Sequence, residues 1–153
     1  MKRTYQILAG LVALEVMLQA AFMAWALFGF GRWIDQGNVF NKELLDDESG
    51  TWHFTEERGF MFHGISGMMV IPLTVLILFA ISFFAREVQR GIAMAATLVV
   101  LVILQVWVFA ALGHDTPFFG ALHGFNALLI FATAVMAAKM ASTKAAESVG
   151  APV

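Results

Sequence analysis

The sequence predicts an all-α integral membrane protein, a four-helix bundle with both termini on the cytoplasmic side. Three observations carry this. Apolar residues make up 60% of the 153 residues and charged ones 13%, with a mean hydropathy of +0.80, a balance that requires lipid as solvent. The apolar residues fall into four runs, approximately 7–30, 60–85, 92–112 and 118–140. A hydrocarbon core about 30 Å thick needs roughly 20 helical residues, and a backbone in lipid must bond within its own segment, which favours helices over a β-barrel. Finally, Lys2, Arg3, Arg86, Arg90, Lys139 and Lys144 lie at one end of such a bundle, whereas the other end has Arg32, Lys42 and Arg58. Basic residues gather on the cytoplasmic side, which places the 31–59 segment outside. The location expected is the inner (cytoplasmic) membrane.

The first run follows Lys2 and Arg3 as a signal peptide would. It is too long for a signal core and contains Glu15, so it is expected to be a retained first span. The outer loop, 31–59, is acidic through Asp46, Asp47, Glu48, Glu56 and Glu57, yet it also holds Trp33, Phe40, Trp52 and Phe54. It is therefore expected to fold as a cap, with Asn41 starting a short interfacial helix over 42–45. Pro72 is expected to kink the second span. The domain closes near residue 141, and the small, polar 142–153 tail is expected to be disordered.

No cysteine is present, which removes disulfides, thiolate metal sites and cysteine nucleophiles. A net charge of −2 without a basic cluster gives no footprint for nucleic acid, and there is no glycine-rich phosphate loop or nucleophile elbow.

The two halves echo each other. Leu18-Gln19 in the first span matches Leu104-Gln105 in the third, and the His63-Gly64 stretch of the second matches His123-Gly124 of the fourth. This pattern suits a duplicated helical hairpin as well as chance in Leu- and Ala-rich helices. His63 and His123 lie at similar depth near the outer ends of parallel helices. Imidazole is the usual axial ligand of haem iron, and a following glycine lets a flat ligand approach. One reading is thus a haem b held between His63 and His123 as metal ligands, with Arg58 and Arg32 near the propionates and His114 as a further contact. Ser66 and Asn126, each three residues after a histidine, would orient an imidazole or touch the ligand. The rival reading is that the histidines hydrogen-bond neighbouring helices in an accessory or structural subunit with no cofactor. A chlorophyll-type pigment on each histidine is a third.

Glu15 is the only acid deep in a span, about 12 Å from the inner end of the first helix. With Gln19 and Gln105 it suggests a polar seam, either a proton path or quinone contact, or an interhelical hydrogen-bond cluster.

The stretch Gly120-Ala121-Leu122-His123-Gly124-Phe125-Asn126-Ala127-Leu128-Leu129-Ile130-Phe131, with the two Leu-Gln pairs and His63, resembles an uncharacterised family of small four-span bacterial membrane proteins. That resemblance implies the fold alone. His63 and His123 also resemble, more loosely, the histidines of one four-helix half of haem A synthase. The resemblance implies haem binding and not that enzyme's reaction, because Glu57 does not stand at the family's spacing from the histidine. The expected activity is electron transfer to or from quinone or a larger membrane complex, in a component without its own enzyme substrate.

Overall fold

The computed structural model describes residues 1–46 and 49–142. The expectation of a disordered tail, apart from Ser142, lies outside the described residues. Four long helices are present: α1 (Lys2–Asp35), α3 (Thr55–Ser82), α4 (Gly91–Asp115) and α5 (Pro117–Ser142). A short α2 (Lys42–Leu45) lies in the loop between α1 and α3. Each long helix is long and apolar enough to cross a membrane, and no strand occurs among the described residues. The chain is thus a multi-pass membrane protein.

The short α2 starts where the capping rule places it. Asn41 is extended, and its Oδ1 accepts from Leu44 N at 2.9 Å. Around it the loop folds back on the end of α1. Phe30 meets Phe40 edge-on at 5.2 Å between centroids, and Trp33 lies 5.8 Å from Phe54.

The helices form a ring in chain order. α1 packs against α3 and α5, and α4 packs against α3 and α5. The core lies towards the end that carries both termini. Tyr5, Ala9 and Val12 of α1, Val75 and Leu78 of α3, Ala95 and Leu98 of α4, and Ala134 and Ala137 of α5 are all buried there. Small residues on α1 and α5 let those backbones approach, the usual device where lipid offers no hydrophobic drive between helices. Tyr5 secures this end, donating its buried hydroxyl to the Gly91 carbonyl at 2.9 Å.

Towards the loop end the ring opens. The 71–82 half of α3 packs on the 91–103 half of α4, but the 58–65 stretch packs on α1, and the 110–115 stretch packs on α5. Among the described residues α4 has no buried residue after Val102, and α5 has none before Asn126. What closes the loop end is the contact between α1 and α3. The α1 face at positions 15, 19, 22, 26 and 29 runs along α3, and Trp33 meets Phe54 just before that helix, with alternating steps of four and three, the spacing of one helical stripe.

Both α3 and α4 contain a π-helical stretch, Ser66–Val70 and Leu104–Phe109. In α3 it stands just before Pro72. Proline clashes with the carbonyl four residues back and brings no N–H, and a wide turn relieves both. α4 has no proline, so its wide turn has another origin.

Candidate functional site

The two π stretches fall at the level where the ring opens, and the polar side chains of the spans collect there. In α3, the wide turn routes Ile71 N–H to the Ser66 carbonyl; in α4 it routes Ala110 N–H to the Gln105 carbonyl. Wide turns of this kind recur at functional sites because they re-aim side chains and carbonyls.

Each histidine is anchored on the neighbouring helix of its own hairpin. His63 Nδ1 lies 3.2 Å from the Gln19 backbone carbonyl, and His123 Nδ1 lies 3.3 Å from the Gln105 backbone carbonyl. A carbonyl only accepts, so in both rings Nδ1 carries the hydrogen and the neutral ring's lone pair is on Nε2. Among the described residues neither Nε2 has a hydrogen-bond partner. The two rings are neighbours, with centroids 6.2 Å apart and planes inclined by 50°.

The glutamine side chains repeat the pattern. Gln19 Nε2 donates to Ser66 Oγ, whose own hydroxyl donates to the Phe62 carbonyl. Asn126 Nδ2 donates to Gln105 Oε1 at 2.7 Å and to the Leu101 carbonyl at 2.9 Å. Gly67 permits the first pairing, because a Cβ there would meet Gln19 Oε1 at 3.3 Å. Ser66 and Asn126 therefore hold the glutamine side chains, while the glutamine backbones hold the imidazoles. The expected seam is two separate pairs, one per hairpin, and Glu15 pairs instead with Thr74 on α3, Oγ1 to Oε1 at 2.9 Å.

Asn126 is buried and both its amide hydrogens are used. Asn126→Leu leaves Gln105 Oε1 without its donor, and intramembrane hydrogen bonds contribute about 0.6 to 2 kcal/mol. The expected result is a loss of about 1 to 2 kcal/mol in detergent-solubilised protein, read by thermal or denaturant unfolding. An unchanged midpoint would remove Asn126 from the account of the site.

The outer candidates are placed less closely. Arg32 is engaged by Glu56, Nη2 to Oε1 at 2.6 Å. Arg58 is exposed, its guanidinium 5.9 Å from the Trp52 ring centre, and begins the stretch that leads to His63. His114 is exposed at the end of α4, and among the described residues no hydrogen bond or ring contact joins it to the pair. His53, beside Trp52 in the loop, is half-buried and lies 3.4 Å from a Glu57 carboxylate oxygen.

The donor set bears on what the pair can hold. Among the described residues there is no group of three or more His, Asp or Glu able to surround a metal ion. A bare zinc ion needs three or four protein ligands, whereas a haem brings four ring nitrogens and asks for two axial ones. With bonds of about 2 Å to each imidazole, one shared metal places the ring centroids roughly 6 to 6.5 Å apart, the spacing found here. A Cβ added at Gly64, Gly120 or Gly124 would meet nothing within 4 Å. Comparison with known proteins gives no match, whether to a family model, a curated protein or a solved structure.

Proposed function

We propose that the protein is a membrane haem b carrier in which His63 and His123 are the two axial ligands, serving electron transfer near the outer membrane face. The observation that carries this is the ring pair at 6.2 Å, each ring fixed through Nδ1 with Nε2 left for a ligand. A carbonyl on Nδ1 is the usual outer partner of a ligating histidine, because it sets the tautomer and raises the basicity of Nε2. A haem iron held by two imidazoles has no open position and exchanges single electrons rather than binding oxygen. Gln19 and Gln105 orient the rings, and Ser66 and Asn126 keep those glutamines in place. Arg58, exposed at the loop end, is the cation suited to a propionate, since Arg32 already has Glu56. The spacing suits one macrocycle between the rings better than two pigments, one on each histidine.

Both termini are cytoplasmic in this reading, supported by Lys2, Arg3, Arg86, Arg90 and Lys139 at the terminal end. The membrane is the inner, cytoplasmic one, and the partner is quinone or a larger complex. The repeated set of glutamine carbonyl, imidazole and small polar residue supports a duplicated hairpin. The likeness to half of haem A synthase is kept for its haem and not for its reaction.

A second reading is favoured by the same Nδ1 bonds, which tie α3 to α1 and α5 to α4 as purely structural contacts would. Purified protein supplied with haem separates the two. A reduced-minus-oxidised absorption spectrum of the low-spin, bis-imidazole kind is the expected result. A stable protein that stays colourless would end the haem proposal and leave the accessory subunit.

A further inference from the structure

Glu15 plays no part in holding the histidine pair, yet it is the one carboxylic acid in the membrane interior. Within α1 no other titratable side chain lies between Tyr5 and Arg32. The surrounding helices add none: α3 has none between His63 and Arg86, α4 none between Arg90 and His114, and α5 none between His123 and Lys139. Among the described residues, the titratable groups of the surrounding helices nearest this level of the bundle are therefore His63 and His123. An ionisable residue at such depth is costly and marks function more often than packing.

Its hydrogen bonds are informative about the proton. Thr74 Oγ1 lies 2.9 Å from Glu15 Oε1 and 3.0 Å from the Val70 carbonyl. A hydroxyl has one hydrogen, and a carbonyl can only accept it. Thr74 can share its one hydrogen between the two acceptors, but both contacts are full two-centre hydrogen bonds when Glu15 is the neutral acid and donates to Thr74. Glu15 Oε2 is buried without a partner, an arrangement that a neutral carboxyl bears far better than a carboxylate. Gln19 stands four residues further along α1, about 6 Å up the axis, with its carbonyl on His63. A change of charge at the histidine pair therefore acts on Glu15 through low-dielectric space that salt does not screen.

We propose that Glu15 is a redox-linked proton site, which rests on the electron-transfer reading above. When one electron enters the histidine site from a reductant of the quinol class, Glu15 takes one proton from water. When the electron leaves, the O–H bond of Glu15 breaks and the proton returns to water. The charge of the membrane interior is the same before and after, which is the physical reason for the coupling. The neutral acid bonded to Thr74 is the form with the electron present.

The experiment uses purified, haem-loaded protein in detergent, titrated with a chemical reductant across pH, with Glu15→Gln alongside. In the wild type the midpoint potential is expected to fall as pH rises, approaching about 59 mV for each tenfold drop in proton concentration where coupling is complete. Glu15→Gln is expected to flatten that slope. The reduced-minus-oxidised infrared spectrum should gain the carbonyl stretch of a protonated carboxylic acid, sensitive to heavy water and absent from Glu15→Gln. Thr74→Val, which removes the hydroxyl and keeps the shape, should shift the band without abolishing it, and serves if Glu15→Gln does not fold. A potential independent of pH overturns the inference while a haem spectrum keeps the functional reading. So does a slope or band that survives Glu15→Gln, which then belongs to other groups such as propionates, or a band indifferent to Thr74→Val. A colourless protein overturns both.

Discussion

Replacing His63 or His123 with alanine is expected to abolish the bis-imidazole haem spectrum and to weaken haem binding at least about 100-fold, since loss of an outer partner alone costs a metal site 10- to 100-fold. The reason is that the described residues bring two donors together and no third. Among the described residues no further histidine or carboxylate clusters there to replace either ring. Free imidazole should restore the spectrum, because each alanine leaves a space shaped for that ring beside an intact carbonyl on Gln19 or Gln105. The structural effect of the same change is small. One Nδ1 hydrogen bond is lost, worth about 0.6 to 2 kcal/mol in a membrane. The two functional readings thus give opposite patterns in the same samples: loss of colour with modest destabilisation, or modest destabilisation in a protein that never had colour. A variant that keeps the full wild-type spectrum and affinity would show that its histidine is no ligand.

The helices were legible because hydropathy responds to the same property that the bilayer selects. Their ends were less so. The first run stops at Phe30 by composition, yet α1 continues through Trp33 to Asp35, since backbone hydrogen bonds continue into the interface where polar side chains are welcome. In the opposite sense, the second run extends to Ala85, but α3 ends at Ser82 because 83–90 must turn and Arg90 takes a positive φ of 57°. Asn41 announced α2 correctly, as its side chain does the capping.

At the site, equal depth on parallel helices brought His63 and His123 to attention, and the structure places their rings side by side. What holds them was not legible. Ser66 and Asn126 stand at the spacing expected of imidazole partners, but the rings bond to glutamine carbonyls on the adjacent helices, groups that every residue carries and no sequence pattern marks. Thr74 was likewise missed. The signal was available, because a carboxyl at the depth of Glu15 needs a hydroxyl or amide opposite it, and Thr74 is the only such residue on α3 beyond Ser66 until Ser82. Pro72 pointed to a distortion in α3, and it lies just upstream as a wide turn. The matching turn in α4 has no proline to announce it.

The second large effect is expected far from either imidazole, at Gly59. Here α3 crosses α1 so closely that a Cβ would stand 2.5 Å from the Phe22 carbonyl oxygen and 2.9 Å from Ala26 Cβ. Neither is the flexible end of a side chain, so Gly59→Ala must push the helices apart, and Gly59→Leu more so. Overpacking of this kind costs about 1 to 3 kcal/mol. Alanine's better helix propensity, about 1 kcal/mol over glycine, offsets only part of that. His63 is one turn along the same face, so the displacement also lengthens its 3.2 Å contact with Gln19. The expected result is a lower unfolding midpoint together with weaker haem binding, measured on the same preparation. Gly64→Ala is the control for the fold: its Cβ meets nothing within 4 Å, so stability should hold or rise. If Gly59→Ala is as stable as wild type, α1 and α3 do not cross this closely, and the placement of His63 against Gln19 fails with that crossing.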